Sequence, residues 1–251
     1  MNYRILGLLL VPLFGLSCPA SGQESSALFL KTHIPLPNVN GRIDHLGVDV
    51  KGQRLFVAAV DNHTLEVVDL KSGQRIHTIT DLAEPQGVFY DVSTNRLFVA
   101  SAVDGVVKIY DGATFQVLAT AKFPDDSDNI RHDPRGKRVI VGYAGAKQLR
   151  KRAEGNGGLG FLDSDGNKTG DVVIDAHPES FRLEGSGNRI FVDRDHIHYD
   201  RIAHYATPLH TQTGLFVPEW GELFAAAQGQ GEQSAEIRVY EANGGAVAQC
   251  S

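Results

Sequence analysis

The chain repeats one strand-like pattern at a fixed interval, and this repeat limits its fold more than any other feature. The pattern is Gly or Thr, one variable residue, Arg, and then a hydrophobic run such as Leu-Phe-Val-Ala. Copies lie at residues 52–58, 94–100, 136–142 and 187–193, with a degenerate copy at 220–226. Arg54, Arg96 and Arg138 are each 42 residues apart, so the chain is built from units of that length.

Each unit holds four short runs with the composition of β-strands. In the first unit they lie near residues 46–50, 52–58, 65–70 and 75–79, and they are rich in Val, Ile, Leu and Phe. Gly, Asn, Asp and Ser separate the runs, as expected for antiparallel strands joined by turns. Four strands in such a period are the dimensions of a propeller blade. We therefore predict an all-β fold, a β-propeller of four-stranded antiparallel blades.

The two ends of the repeat region predict how the ring closes. The last clear strand, at 236–240, resembles the third strand of a unit, and it has no fourth strand after it. Residues 27–36, which precede the first unit, resemble a fourth strand. The N-terminal strand should therefore complete the last blade and cover a sheet edge that would otherwise be open.

The number of blades follows from the chain length and from one irregular unit. The 229 residues after position 22 would make about five and a half units. From Arg54 to the fourth-strand Arg75 is 21 residues, but from Arg189 to the matching Arg201 is only 12. Residues 193–198 therefore leave no room for a third strand. We predict about five blades, one of them incomplete, in a ring that either closes or stays open at this seam.

These repeats resemble those of the YVTN-repeat propellers, a family of secreted bacterial proteins. The resemblance is carried by the Arg-hydrophobe-Phe-Val-Ala strand, by third strands such as 107–111 and by unit starts such as Ile43-Asp44-His45, and it covers residues 27–242. It implies an architecture similar to lactonase-like propellers and to the haem-binding propeller of cytochrome nitrite reductase. Members usually have seven blades, so the resemblance implies an internally shortened copy. It implies a fold and not a reaction.

The first 22 residues have the organisation of an export signal. Arg4 supplies a positive start, residues 5–16 form an apolar run, and Ala20-Ser21-Gly22 offers small residues for cleavage before Gln23. An apolar run of this length is too short to span a bilayer as a helix. The alternative is lipidation at Cys18. We expect a periplasmic or extracellular protein without a transmembrane anchor, divided into a signal peptide at 1–22, a propeller domain at 23–242 and a flexible tail at 243–251.

The charge of the chain limits its partners. Lys and Arg number 24 against 30 Asp and Glu, which gives a net charge of −6 and no broad basic stripe, so nucleic acid is not expected to bind. The basic run at 147–152 predicts a solvated loop or, alternatively, a positive lip that attracts anionic ligands. The acidic run at 163–171 lacks the glycine and the glutamate of a calcium loop and predicts a turn.

The segments that lead into the innermost strands carry polar residues, which should surround one mouth of the channel. Carboxylates, amides and imidazoles placed there could bind a polar ligand, or they could simply cap strands and solvate the channel. The sequence nominates as ligand-binding candidates Asp44, His45, Gln86, Asn129, His177 and Glu179.

The sequence contains no focused catalytic set. No nucleophile elbow, phosphate loop, zinc-protease helix or dinucleotide fingerprint occurs, so we nominate no catalytic residue, no metal ligand and no cofactor. The leading hypothesis is a non-catalytic binding or interaction propeller whose partner, a small molecule or a protein, meets the channel mouth. One alternative is a lactonase-like hydrolase with a cation near Glu179 and Asn129. Another is a haem-type redox propeller that uses His45 or His177.

Overall fold

A computed structural model describes the fold of most of the repeat region. The described residues are 28–145, 157–174, 177–178, 180–183, 190–192, 207–208 and 210–242. Within them lie eighteen β-strands and one short 3-10 turn at Val60–Asn62. The strands form four sheets of four strands and one sheet of two, and every pairing within a sheet is antiparallel.

The strands follow the repeat, and each sheet is one blade. Blade one consists of β2 (Ile43–Asp49), β3 (Arg54–Ala59), β4 (Thr64–Asp69) and β5 (Gln74–Ile79). Blade two consists of β6 (Pro85–Asp91), β7 (Arg96–Ser101), β8 (Val106–Asp111) and β9 (Val117–Lys122). Blade three consists of β10 (Asp125–Asp133), β11 (Arg138–Ala144), β12 (Gly157–Leu162) and β13 (Lys168–Ile174). The described part of blade four consists of β14 (Phe181–Leu183) and β15 (Ile190–Val192). Blade five consists of β1 (Leu28–Leu36), β16 (Thr211–Val217), β17 (Glu222–Ala227) and β18 (Ala235–Ala242).

The N-terminal strand completes the last blade, as the sequence predicts. The strand order in blade five is β16, β17, β18 and then β1. The pairing of β1 with β18 runs from Leu28 opposite Ala242 to Leu36 opposite Ala235. Ile34 and Leu36 are buried in the core between blades five and one. The two ends of the repeat region are therefore joined by backbone hydrogen bonds and by apolar packing.

The middle strands of the blades are buried on both faces. In β3 the five residues from Leu55 to Ala59 are each 0% exposed, because neighbouring blades cover both sides of the sheet. The outermost strands are much more exposed, with Ile76 of β5 at 55% and Val173 of β13 at 66%. Apolar burial on both faces thus characterises the middle strands. The outermost strand borders solvent.

A buried aspartate closes the hairpin between the first two strands of a blade. Asp49, at the end of β2, is 3% exposed and accepts hydrogen bonds from the Gly52 backbone N–H and from Arg54 Nη2, both at 2.8 Å. Asp133, at the end of β10, accepts a hydrogen bond from Arg138 Nε at 2.9 Å. Each buried carboxylate is thus paired with the repeat arginine, as burial of a charge requires.

The repeat arginine also ties one blade to the next. Arg54 of blade one donates a hydrogen bond at 2.5 Å to the backbone carbonyl of Gly112, in the turn between β8 and β9 of blade two. Arg96 of blade two donates to the carbonyl of Ser164, in the corresponding turn of blade three. This contact between consecutive blades gives Arg54 and Arg96 the same role at positions 42 residues apart.

A propeller of about four to five blades is confirmed by these sheets. The incompleteness predicted for one blade depends on residues 193–198, which lie outside the described residues. In blade four, Phe181 pairs with Val192 and Leu183 with Ile190, and only these two strands are described there. The turn predicted within 163–171 is also confirmed, because Asp163 Oδ1 accepts the Asn167 backbone N–H at 2.8 Å between β12 and β13. Within the described ranges, no helix is long and apolar enough to cross a membrane.

Several features predicted from the sequence lie outside the described residues. They are the signal peptide at 1–22, the basic run at 147–152, the seam at 193–198 and the tail at 243–251.

Candidate functional site

The first strands of consecutive blades contact one another and line the channel. These contacts link β16 to β2, β2 to β6, β6 to β10 and β10 to β14. Residues at the start of these strands are therefore brought to one end of the channel, which we call the mouth. The opposite ends of the same strands carry the aspartates that pair with the repeat arginines.

A bulge near the start of β2, β6 and β10 directs side chains into the mouth. Between Ile43 and Leu46, β2 advances three residues while its partner β3 advances two. The same shift occurs between Pro85 and Val88 of β6 and between Ser127 and Ile130 of β10. A bulge breaks the in-and-out alternation of a strand and re-aims its side chains. The bulged residues are Asp44 and His45, Gln86 and Gly87, and Asp128 and Asn129.

The bulges enclose a polar cavity of about 420 Å³ at the mouth. Its described lining consists of Arg42, Asp44, His45, Gln86, Asp126, Asp128, His177 and Ser180. Four of the six nominated residues, Asp44, His45, Gln86 and His177, therefore come together at this cavity. Asn129 does not line the cavity and is 2% exposed, while Glu179 lies outside the described residues.

The nominated set lacks four of the lining residues, Arg42, Asp126, Asp128 and Ser180, and of these Asp128 has the clearest signal in the sequence. Asp44, Gln86 and Asp128 are 42 residues apart, so they occupy the same position in three consecutive repeats. The nominated residue on β10 is Asn129, one position further along. On a strand, a shift of one residue turns a side chain to the other face. The 42-residue spacing was the signal that could have selected Asp128 from the sequence.

Gln86 and Asp128 face each other across the boundary between blades two and three. With the amide nitrogen of Gln86 turned towards Asp128, Gln86 donates hydrogen bonds to both carboxylate oxygens, at 3.0 and 3.3 Å. Such an amide orientation is assigned from its hydrogen bonds. Both residues are 6% exposed, so little water reaches this contact. The two blades are thus joined at the mouth through polar side chains.

Asp44, His45 and Asp128 form the most concentrated group of ligating atoms at the mouth. One donor atom from each lies within 4.8 Å of the other two. His45 Nδ1 is 2.9 Å from Asp44 Oδ1 and 3.7 Å from Asp128 Oδ1. Asp44 and His45 belong to blade one and Asp128 to blade three, so the group spans the channel in front of blade two.

Asp44 is held in its charged form. Burial by itself would raise the pKa of Asp44, but the neighbouring His45 and the Arg42 guanidinium outweigh burial and lower that pKa below its ordinary value. Asp44 is therefore a carboxylate at neutral pH. Arg42 contacts Oδ2 of Asp44, whereas Oδ1 is the oxygen next to His45.

A glycine at the bulge of β6 permits the close approach of blade three. A Cβ atom added to Gly87 would lie 1.9 Å from the backbone oxygen of Asp128 and 3.0 Å from Ile130 Cγ1. No side chain fits at such distances, so the position requires glycine. The absence of a side chain at Gly87 is what lets Gln86 reach Asp128.

A larger cavity, of about 550 Å³, lies between blades five and one. Its walls include Glu222, at the start of β17, and Leu70, in the turn after β4. Glu222 holds the position that Arg54 and Arg96 have in other blades, and it pairs with Lys31 of β1 at 2.5 Å. Between these two blades, the arginine tie is therefore replaced by a pair within blade five. That replacement accounts for the cavity between blades five and one, which we call the gap.

Comparisons with known proteins concern the fold alone. The sequence matches no protein-family model and no curated protein. The structure is similar to Kuenenia stuttgartiensis hydrazine synthase, with 15% identity, 72% of this chain and 42% of that chain covered, and a TM-score of 0.46. It is similar to a chain of the mitotic checkpoint complex, with 14% identity, 80% of this chain and 49% of that chain covered, and a TM-score of 0.48. It is also similar to Saccharomyces cerevisiae Sqt1, with 12% identity, 79% of this chain and 45% of that chain covered, and a TM-score of 0.46. This chain thus spans less than half the length of each, and the propeller fold follows from the sheet topology.

Proposed function

We propose that this chain is an exported, non-catalytic binding propeller that takes a small polar ligand at its channel mouth. The observation that carries the proposal is the convergence of Asp44, Gln86 and Asp128 on one cavity. These residues hold one repeat position in three consecutive blades, and His45 and His177 border the same space. Polar groups that meet in a concave site are the usual basis of small-molecule recognition.

The charge of the mouth favours a ligand with positive charge. The described lining includes three aspartates and a single arginine, Arg42. Carboxylates at the end of a narrow, protein-lined channel attract cations because the walls focus their field. The cavity of about 420 Å³ has the size of sites that hold small molecules. A small cation, organic or inorganic, is the ligand class that fits best.

Binding is favoured over the hydrolase alternative by the position of Asn129. That alternative places a cation near Asn129 and Glu179, but Asn129 is 2% exposed and does not line the mouth cavity. A lactone carbonyl has to reach a cation in order to be polarised by it. The haem-type alternative predicts visible absorption by the purified protein, and a colourless preparation would remove it.

We also propose membership of the YVTN-repeat family and export by the N-terminal signal. The repeat and the organisation of residues 1–22 support these two statements. Expression of the full chain in a bacterium, followed by fractionation and N-terminal sequencing, tests export. A periplasmic or secreted product that begins at Gln23 is expected, whereas an uncleaved cytoplasmic product would contradict it.

The binding proposal is tested by the melting temperature of the mature chain in the presence of small-molecule probes. Spermidine, choline, arginine, glucose and succinate represent cationic, neutral and anionic classes. We expect the cationic probes to raise the melting temperature of the wild type and of the control Asp165→Asn, but not of Asp44→Asn. Asp165 is an exposed carboxylate far from the mouth in sequence, in the turn after β12. An equal rise in Asp44→Asn, or lactone hydrolysis that Asp44→Asn abolishes, would contradict the proposal.

A further inference from the structure

We propose that the mouth binds a divalent transition-metal cation between Asp44, His45 and Asp128, with the amide oxygen of Gln86 as a fourth ligand. The inference deepens the proposed function, because it names the ligand class of the same cavity. It gives Asp128 and Gln86 a specific role as metal ligands.

The chemistry of the donor set selects the kind of cation. Two carboxylates and one imidazole nitrogen meet in the group formed by Asp44, His45 and Asp128. Imidazole suits zinc, copper, nickel and iron, whereas calcium and magnesium prefer oxygen ligands alone. A histidine with two aspartates is therefore a set for a cation such as Zn²⁺ and not for Ca²⁺.

The spacing of the donor atoms suits a single small cation. With metal–ligand bonds of about 2.0–2.2 Å, neighbouring ligands of a tetrahedral site are about 3.4 Å apart. The distances from His45 Nδ1 to Asp44 Oδ1 and to Asp128 Oδ1 are 2.9 and 3.7 Å, on either side of that value. A shift of a few tenths of an ångström in each side chain would complete the geometry.

His45 Nδ1 points to a ligand independently of the carboxylates. This atom is shielded from solvent, and among the described residues it has no hydrogen bond of acceptable geometry. It lies close to Asp44 Oδ1 but is poorly aligned with it. A shielded polar atom without a hydrogen bond is costly, and a metal ion would remove that cost.

Gln86 is a buried amide that forms hydrogen bonds with Asp128 in only one of its two orientations. With its nitrogen towards Asp128 it donates to both carboxylate oxygens, and in the opposite orientation its oxygen faces them. Two oxygens in contact repel each other unless a cation lies between them. Cation binding would therefore select the second orientation and make the Gln86 oxygen a ligand. Because Gln86 is 6% exposed, a water molecule cannot readily take the place of its amide oxygen as the ligand.

Arg42 acts as a positioning residue for Asp44. Its guanidinium contacts Oδ2 of Asp44, and this leaves Oδ1 directed towards His45. Contacts of this kind orient metal ligands and commonly change affinity by about 10- to 100-fold when they are removed. The cation itself would cross-link blade one to blade three, so it should raise the melting temperature of the whole chain.

The test is isothermal titration of the mature chain, stripped with EDTA and dialysed, with ZnCl₂. We expect one site, with affinity at least about tenfold weaker in His45→Gln. The matched control is His33→Gln, which removes an exposed histidine of β1 and should leave the zinc affinity unchanged. Gln86→Ala should weaken zinc moderately, and CaCl₂ should bind much more weakly than ZnCl₂. Circular dichroism confirms that each variant is folded.

The outcomes separate this inference from the proposed function. No zinc site in the wild type, or equal affinity in His45→Gln and His33→Gln, would overturn the cation inference, and organic cations that still bind at Asp44 would leave the proposed function standing. A zinc site lost in His45→Gln together with zinc-dependent lactone hydrolysis would support the cation and overturn the non-catalytic function. A zinc site without hydrolysis supports both.

Discussion

The two ends of the inner strands use the same 42-residue repeat in different ways. At the end away from the mouth, Asp49 and Asp133 are the same residue in equivalent positions, and both bind the repeat arginine of their own blade. In blade two the equivalent Asp91 instead accepts hydrogen bonds from Ser93 and Thr94, so the aspartate closes the same hairpin in all three blades although its partners differ. At the mouth, equivalent positions do not all hold the same residue type, because Gln86 lies between Asp44 and Asp128 in the series of repeats.

The difference teaches which repeat positions determine fold and which determine function. A position that makes the same contact in each blade serves the architecture, because all blades need that contact. A position that differs between blades, yet points into one shared space, creates an asymmetric site that no single blade contains. The mouth has this second character, because Asp44, Gln86 and Asp128 occupy equivalent positions of three blades and line one cavity.

The sharpest test of this comparison uses two aspartates of one strand, Asp49 and Asp44. Asp49→Ala leaves Arg54 without its buried partner, so the free energy of unfolding should fall by about 3 kcal/mol. Asp44→Ala should lower it by less than about 1 kcal/mol while it removes mouth binding. Urea unfolding of both variants measures the free energy of unfolding, and zinc titration measures binding at the mouth. Equal losses of stability would break the distinction between the two ends.

The approach of blade three to the mouth is tested at Gly87. Its substitution with alanine places a Cβ atom 1.9 Å from the Asp128 backbone oxygen, so β10 must move. We expect the free energy of unfolding to fall by about 1–3 kcal/mol and the mouth site to weaken. The matched control is Gly170→Ala, where the nearest atom would be Phe161 Cδ2 at 3.8 Å. Similar urea midpoints for the two variants would show that the close approach is not required.

Asp133, at the end of β10 away from the mouth, should make the stability of the fold decrease in acid. The hydrogen bond from the Gly136 backbone N–H lowers the pKa of Asp133, and the Arg138 guanidinium lowers it further. Together they outweigh burial, which would raise that pKa. Asp133 therefore stabilises the fold above its unfolded-state pKa of about 3.9, and this contribution is lost as the pH falls through the lower folded-state value. Unfolding free energies at pH 7, 5 and 3 should fall less steeply in Asp133→Asn than in the wild type or Asp165→Asn. Parallel pH curves would contradict this role.

The smallest expected effect concerns the gap between blades five and one. A charge swap, Lys31→Glu with Glu222→Arg, keeps the ion pair and places an arginine at the repeat position, within reach of the turn at Leu70. A restored tie should raise the free energy of unfolding by about 1 kcal/mol. Lys31→Glu alone is the control and should lower it slightly, because two carboxylates would then face each other. No gain in the double variant would mean that the missing arginine does not explain the gap.

The sequence predicted most of the fold because the repeat arginines report a contact that recurs. Arg54 and Arg96 both reach the turn of the next blade, so their spacing is the spacing of the blades. The closing strand was predictable as well, because β18 lacks a following partner and Leu28–Leu36 has the pattern of one. A periodic sequence constrains a periodic structure strongly.

The mouth was only partly predictable, since a bulge is not visible in the sequence. Of the residues nominated at the strand starts, Asp44, His45, Gln86 and His177 line the mouth cavity. On β10, however, the bulge turns Asp128 into the cavity and buries Asn129 beside it. Residue type alone cannot distinguish these neighbours, because either side chain is a reasonable polar ligand. The amide of Gln86 in contact with Asp128 is likewise a property of the assembled blades.

The most direct test of the mouth as a built cation site is anomalous diffraction at the zinc edge from crystals of the mature chain grown with ZnCl₂. We expect one strong anomalous peak enclosed by Asp44, His45 and Asp128, with metal–ligand distances of about 2.0–2.2 Å and the amide oxygen of Gln86 turned towards it. A mouth without a peak, or zinc bound only at exposed histidines such as His33, would contradict the account.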